Sequence, residues 1–335
     1  MKKILVTGGL GYIGSHTVVE LQEAGYEVVV IDNLDNSSLE IKNRIEKISG
    51  CTLEVIVSDI NNEDVLDEVF ETYRFDGVIH FAAYKAVGES VENPIKYYRN
   101  NIGGLIQILA AMQKHEVSNL IFSSSCTVYG VAKELPVTEN TPIQLAESPY
   151  GTTKIMGEEL IQDFIQYQSI KAVLLRYFNP VGAHPSALIG ELPNGVPSNL
   201  VPYITQTAAG IREQLTVHGN DYNTEDGSCI RDYIHVVDLA KAHVKALAYA
   251  ETMKDKVEVF NVGTGNGTSV LEIIRAFEQQ CNLKLNYRIG PRREGDVEQI
   301  FADTTKIKKA LKWEADYGIE EMMYHAWMWQ KNIPT

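Results

Sequence analysis

Tyr150 and Lys154 stand four residues apart in Tyr150-Gly151-Thr152-Thr153-Lys154, a spacing that puts both on one face of a helix. A phenol near pKa 10 is a poor base at neutral pH, but an ammonium beside it, or any further cation in a desolvated cleft, stabilises the phenolate. Lowering the phenol by roughly three units takes about 4 kcal/mol, which two cations can supply. Ser125 lies in Phe122-Ser123-Ser124-Ser125-Cys126-Thr127-Val128-Tyr129-Gly130, just past a strand-like run, from which it would reach the same cleft. The trio Ser125, Tyr150 and Lys154 therefore reads as catalytic, moving a proton on and off an alcohol or ketone. Alone, a Tyr-x-x-x-Lys pair is equally a surface helix contact worth a few tenths of a kcal/mol, so its surroundings decide.

Upstream, Thr7-Gly8-Gly9-Leu10-Gly11-Tyr12-Ile13-Gly14 separates a strand pattern from a helix pattern. Glycines there permit a tight turn and the approach of a pyrophosphate to the helix N-terminus. Gly8, Gly11 and Gly14 are spaced one residue wider between the first two than in the Gly-x-Gly-x-x-Gly dinucleotide fingerprint. Asp32 ends the next strand, 24 residues beyond Gly8. A carboxylate there accepts ribose hydroxyls and repels a 2′-phosphate; with no Arg in Asn33-Leu34, NAD is favoured over NADP. Asp59-Ile60 and Phe81-Ala82-Ala83 close the third and fourth strands, where such sheets bind ligands. Singly, each is equally a cap or a packing residue.

The elements that must position these groups alternate in the first half of the chain. Lys3–Val6, Glu27–Ile31, Leu53–Val57, Gly77–Phe81, Asn119–Ser123 and Ala172–Arg176 are apolar on both faces, as buried parallel strands are. Tyr12–Ala24, Leu39–Ile48, Glu63–Tyr73, Pro94–Lys114 and Thr152–Gln168 supply helical crossovers. The fold class that follows is α/β, a Rossmann-type doubly wound parallel sheet. Beyond Tyr177, Pro, Gly and Asn crowd Asn179–Asn199 and Gly219–Gly227, which read as loops. Val257–Val262 reads as a strand returning to the sheet, and Val270–Cys281, Thr304–Leu311 and Ile319–Gln330 as helices of a smaller C-terminal lobe. The division expected is a dinucleotide-binding part over 1–178 and a lobe over 179–335 that mainly binds substrate.

The 335 residues suit that size, and 30 Lys plus Arg against 44 Asp plus Glu leave a net charge of −14, unsuited to a nucleic-acid backbone. No apolar run approaches the roughly 20 residues that span a bilayer, and Met1-Lys2-Lys3 leads straight into Ile4-Leu5-Val6. A cytoplasmic protein with no membrane partner is expected. Cys51, Cys126, Cys229 and Cys281 show no metal-like pairing, so neither a metal site nor a disulfide framework is expected.

These motifs in this order resemble those of the extended short-chain dehydrogenase/reductases. The likeness extends to His80-Phe81-Ala82, Lys85-Ala86-Val87-Gly88-Glu89-Ser90, Leu175 through Pro185, Arg231-Asp232-Tyr233-Ile234-His235 and Arg293-Glu294-Gly295-Asp296. Within that family the chain is similar to members that invert C4 of a UDP-hexose through a 4-keto intermediate. The resemblance implies tightly held NAD, with UDP-galactose and UDP-glucose as substrates. It implies cofactor contacts from Gly8, Gly11, Tyr12, Ile13, Gly14, Asp32, Asn33, Asn36, Ser37, Asp59, Ile60, Phe81, Ala82, Ala83, Lys85, Asn100, Ser125, Tyr150, Lys154 and Phe178. Besides Ser125 and Tyr150, it implies substrate contacts from Asn179, Asn199, Leu200, Thr216, Val217, His218, Arg231, Arg293, Asp296 and Ile300. Arg forks suit a diphosphate and a carboxylate suits a ribose hydroxyl, although any one Arg is equally a surface ion pair.

Two rival readings stand beside it. Related 4,6-dehydratases carry a Thr-Asp-Glu string where this chain has Ser125-Cys126-Thr127, and neither Cys nor Thr replaces a carboxyl acid easily. A silent NAD or nucleotide-sugar sensor would have no use for Ser125, Tyr150 and Lys154. In similar epimerases the position of Ile300 is often a large Tyr or a small Cys or Ser; an intermediate Ile extends the expected substrates to UDP-N-acetylhexosamines. His218 departs from relatives with an aromatic there. The resemblance also implies a homodimer, for which Pro94–Lys114 and Thr152–Gln168 are the candidate helices, with Tyr97, Tyr98, Ile106 and Leu109 in the interface.

Overall fold

Short β-branched runs with both faces apolar are satisfied inside a parallel sheet covered by helices. The computed structural model, which describes residues 1–293 and 295–333, has that arrangement. The first half runs β1 (Lys3–Thr7), α1 (Tyr12–Glu23), β2 (Glu27–Asp32), α2 (Glu40–Ser49), β3 (Glu54–Val57), α3 (Glu63–Tyr73), β4 (Gly77–His80), α4 (Val87–Glu92), α5 (Pro94–Tyr97), α6 (Gly104–Lys114), β5 (Asn119–Ser123), α7 (Pro149–Gln166) and β6 (Lys171–Tyr177). The second runs β7 (Asn179–Val181), α8 (Leu200–Ala208), β8 (Leu215–His218), β9 (Ile230–His235), α9 (Val236–Thr252), β10 (Val257–Val262), β11 (Gly267–Ser269), α10 (Val270–Cys281), β12 (Tyr287–Gly290), β13 (Gln299–Ile300), α11 (Thr305–Leu311) and α12 (Ile319–Asn332).

Seven parallel strands lie in the order β10-β6-β5-β4-β1-β2-β3. The order reverses at β1, opening a crevice beyond the carboxyl ends of β1 and β4. One face is packed by α1, α2 and α9 through Val18, Ile45, Leu239 and Ala246. The other is packed by α3, α6 and α7 through Phe70, Leu105 and Ile161. In the C-terminal lobe β9 is flanked by β7, β11 and β13, and β8 pairs with β12. Val201, Ile204, Phe277 and Met323 form the lobe's core. Among the described residues no helix is long and apolar enough to cross a membrane.

Three features depart from the sequence reading. Pro94–Lys114 is not one regular helix, because Tyr98–Gly103 forms a π-helical turn between α5 and α6, and such turns concentrate at functional sites. Tyr97 and Leu109 are 0% and 2% exposed; the Tyr97 hydroxyl donates to the Ala86 carbonyl and Glu89, and Leu109 packs on the sheet. Neither can meet a second copy, whereas Ile106 is 48% exposed. Finally, the structure adds α9, whose buried positions 239, 240, 242, 243, 246, 247 and 250 follow helical spacing.

Candidate active site

A cavity of about 600 Å³ opens at the crevice, walled by the turns after β1, β2 and β4, by the start of α7 and by residues 190–199. The first turn explains its glycines. Gly8 has φ +67°, and a Cβ there would lie 2.9 Å from the Ala82 nitrogen; one on Gly14 would lie 2.2 Å from the Gly8 carbonyl oxygen. Gly11 differs, since an added Cβ would meet only that oxygen, at 3.3 Å. Packing demands Gly8 and Gly14, whereas Gly11 leaves the cavity side open, as close approach of a pyrophosphate to the α1 N-terminus requires. The residues present thus fit a dinucleotide.

Asp32 is 7% exposed. Its Oδ2 accepts from the Leu10 amide at 3.0 Å, and its Oδ1 accepts from the Leu34 amide at 3.0 Å and the Ser37 hydroxyl at 2.7 Å. A carboxylate has about four acceptor sites, so the protein takes most of them and locks the group's orientation at the cavity. Tyr12, Ile13, Asn33, Asn36, Asp59, Ile60, Phe81, Ala82, Ala83, Lys85 and Asn100 line the same cavity. Asn100 arrives from the π turn, where its amide donates to Asn101 Oδ1 at 2.9 Å. Tyr12 donates its hydroxyl to the Gly182 carbonyl at 2.7 Å, fastening α1 to the start of the lobe.

Ser148 caps α7, its hydroxyl accepting from the Gly151 amide at 3.2 Å, and so places Tyr150 in the first turn. Tyr150, Lys154 and Ser125 are 7%, 5% and 6% exposed. The Ser125 hydroxyl accepts from the Thr127 amide at 3.2 Å, and the Lys154 ammonium donates to the Ser123 carbonyl at 2.6 Å and stands 5.9 Å from the Tyr150 ring centre. Burial pushes the Tyr150 hydroxyl well above the ordinary phenol value, Tyr177 adds to the rise and the nearby Ser125 hydroxyl opposes it. Burial also pulls Lys154 down to about 8, against the charge of Glu158. The protein by itself therefore holds Tyr150 as a neutral phenol. Desolvation outweighs the neighbouring ammonium, so the second cation that the sequence reading calls for is still needed to bring the phenol down.

The remaining residues fall into two groups. Asn199 lines the cavity at the start of α8, its amide donating to Glu191 Oε1 at 2.6 Å, and Lys85 reaches the same oxygen at 2.9 Å. Asn179 lies on β7 opposite Tyr233, and Leu200 opens α8. Farther out, Arg293 donates to Asp296 at 2.7 Å and Arg231 stands 3.7 Å from the same carboxylate. Glu294, between them in sequence, lies outside the described residues. Thr216, Val217 and His218 form β8 against β12. Val217 is 1% exposed in the lobe core, so its side chain is withdrawn from the site, and its backbone faces β12 in the ladder. Phe178 and Ile300 are not on the cavity wall. Both are buried with Val128, Tyr129, Val137 and Ala302, with Cys126 packed against them, and there they support the turn that carries Ser125.

Sequence reasoning missed Tyr177 and Glu191, which line the cavity. Tyr177, pushed up to about 12 by burial, shares a 2.6 Å hydrogen bond with the Ser123 hydroxyl. Its place at the end of β6 was the available signal. The Cys126 thiol, raised to about 12 by burial, cannot serve as the acid or base of an elimination.

A protein-family model described as GDP-mannose 4,6 dehydratase matches residues 5–326. UDP-glucose 4-epimerase of Dictyostelium discoideum is 52% identical over 334 residues, spanning 99% of this chain and 97% of that protein. The solved UDP-glucose 4-epimerase of Stenotrophomonas maltophila, with bound NAD and formylated UDP-arabinopyranose, has a TM-score of 0.96 at 46% identity, covering 99% of this chain and 98% of its own. That of Bifidobacterium longum, in complex with NAD+ and UDP, has a TM-score of 0.95 at 46% identity, covering 99% of each chain. The Ser125-Cys126-Thr127 turn lacks the carboxyl acid that sets the dehydratases apart. With that identity held over nearly the whole length, the chain belongs to the UDP-glucose 4-epimerase family of the extended short-chain dehydrogenase/reductases.

Proposed function

We infer that the protein is an NAD-dependent epimerase that interconverts UDP-galactose and UDP-glucose by inverting C4 through a 4-keto sugar. The observation that carries this reading is the buried Tyr150 and Lys154 pair on the wall of a groove built for a dinucleotide, with the buried Ser125 two residues past the wall residue Ser123. Bound NAD+ supplies a hydride acceptor and, once reduced, a donor. Gly11 and the α1 N-terminus would hold its pyrophosphate, Asp32 its adenosine ribose and Lys154 its second ribose. Tyr150 takes the C4 hydroxyl proton and later returns it, while Ser125 holds the same oxygen. Burial excludes water, so the ketone is retained for reduction on its other face. Arg231 and Arg293 clamp the UDP diphosphate and Asp296 a ribose hydroxyl, which anchors the nucleotide while the sugar turns over; binding energy from a remote group then serves the reacting centre.

The reading divides the work between a cofactor part over 1–178 and a mainly UDP-sugar part over 179–335. It extends the substrates to UDP-N-acetylhexosamines, because Ile300, off the cavity wall but packed against Cys126 in the turn that carries Ser125, is smaller than the Tyr found there in restricted relatives and would set the sugar's room through that turn. A homodimer through α6 and α7 is supported by Ile106 and Met156, 48% and 38% exposed on those helices. A cytoplasmic location is supported by four free cysteines. The test is UDP-galactose carrying deuterium at C4. Full retention of the label in UDP-glucose is expected, because the hydride returns to the carbon it left; loss of label to solvent would overturn the mechanism.

A further inference from the structure

Positions 150, 154 and 158 follow one another at four-residue intervals along one face of α7, and the last two are joined to two of the three consecutive serines Ser123–Ser125. The Ser123 carbonyl accepts from Lys154, and the Ser124 hydroxyl donates to Glu158. The first link belongs to the reaction proposed above, whereas the second is not used by it. Glu158 is 0% exposed and is held from behind by Arg176, which is 4% exposed, through Nε to Oε1 at 2.9 Å and Nη2 to Oε2 at 2.6 Å. Arg176 also donates to the Tyr129 hydroxyl at 3.1 Å, and Tyr129 to Asn261 Oδ1 at 2.6 Å, so the ion pair is tied to the turn after β5 and to β10.

Resting on that function, we propose that Glu158 is a positioning residue for the reaction. Through Ser124 it clamps the Ser123–Ser125 segment to α7, which sets Ser125 and Lys154 against Tyr150, and its charge supports the Lys154 ammonium. A buried ion pair kept for stability alone would need no third partner beside the reacting serine, and apolar residues often replace such pairs without loss. The groups around Tyr150 and Lys154 are His80 on β4, Tyr177 on β6, Tyr97 on α5 and Cys126 in the turn after β5. Burial holds His80 at about 3, and Cys126 and Tyr177 at about 12, so all are neutral near pH 7. Glu158 is thus the one anion, among the described residues, that raises Lys154.

The test compares wild type, Ser124→Ala and the charge-balanced double variant Glu158→Gln/Arg176→Gln, each NAD-loaded and turning over UDP-galactose. Ser124→Ala keeps the ion pair and the backbone bonds of the turn. It should lose about tenfold in kcat with KM within twofold, since small misplacements of reacting groups cost that much or more. The double variant should move the alkaline limb of its kcat profile to lower pH, because the anion it removes acts directly on the Lys154 ammonium while the cation it removes lies behind that anion and opposes the shift only in part. A structural role would lower Tm in both variants and leave the Ser124→Ala kcat and the double variant's profile unmoved, which would overturn the proposal. If the double variant does not fold, Ser124→Ala decides alone. A wild type without turnover removes the proposed function and the positioning role with it; an active wild type with unaffected variants removes the positioning role alone.

Discussion

Replacing Lys154 with Met removes the one cation that, among the described residues, stands beside the reacting phenol. Taking the 5.9 Å from the ammonium to the Tyr150 ring centre as the scale of the separation and an effective dielectric constant of about 20, the lost interaction is on the order of 3 kcal/mol, or roughly two pH units on Tyr150. The sign is fixed, because removing a positive charge makes the phenolate harder to form, and burial already holds the hydroxyl above its ordinary value. At pH 7, where a lysine lowered to about 8 is still mostly charged, kcat should fall about a hundredfold. It should then rise by up to tenfold per unit as the pH is raised. The assay is conversion of UDP-galactose between pH 6 and 10 at saturating NAD, with bound nucleotide measured separately so that lost cofactor is not mistaken for lost chemistry. A loss below about threefold at pH 7, with the wild-type profile retained, would refute the electrostatic role of Lys154.

Tyr150→Phe should cut turnover by about 10²–10⁴ while NAD content, measured on the released nucleotide, stays at the wild-type level; unchanged turnover would take the proton transfer away from Tyr150. Ile300→Tyr should reduce UDP-N-acetylhexosamine turnover more than hexose turnover in parallel assays. Because Ile300 is 6% exposed in a packed cluster, it should also lower stability by about 1–3 kcal/mol, and equal effects on both substrates would reject the gate. His16 and His80 are buried and held at about 3. Their depressed values mean that the unfolded chain binds more protons below pH 6.5, so stability present above that pH is lost as pH falls. Each should cost about 2 kcal/mol between pH 6.5 and 5; a Tm that stays flat over that range would contradict their neutral burial.

What was legible in the sequence was whatever a short, repeating physical rule dictates. The inner strands of the main sheet could be read because a strand buried on both faces must be continuously apolar, the edge strands β3 and β10 because their β-branched runs stand out between turns, and the Gly8, Gly11, Gly14 turn because two of its glycines admit no Cβ. The Tyr150–Lys154 spacing could be read because helix geometry alone brings the pair together. The lobe was poorly legible, since β7, β11 and β13 have only two or three residues each, too few for any period, and gain their identity by pairing with β9. The long helix α9 has an apolar spacing sufficient to mark it, but loop-forming residues precede it. Tyr97 and Leu109 fit an interface by sequence because amphipathicity gives a buried face and not the surface that buries it. The phenol's electrostatics needed the structure outright, because desolvation depends on what surrounds Tyr150 in space.

The central claim is an oxidation and a reduction that cancel on one sugar, and equilibrium product analysis tests it most directly. Purified protein is incubated with UDP-galactose and no added cofactor, the nucleotide sugars are resolved by NMR, and reduced nicotinamide is followed by its absorbance. The account predicts UDP-glucose rising to equilibrium with no net reduced nicotinamide. UDP-galactose left unchanged after NAD is supplied, or consumed only in step with accumulating reduced nicotinamide, would contradict it.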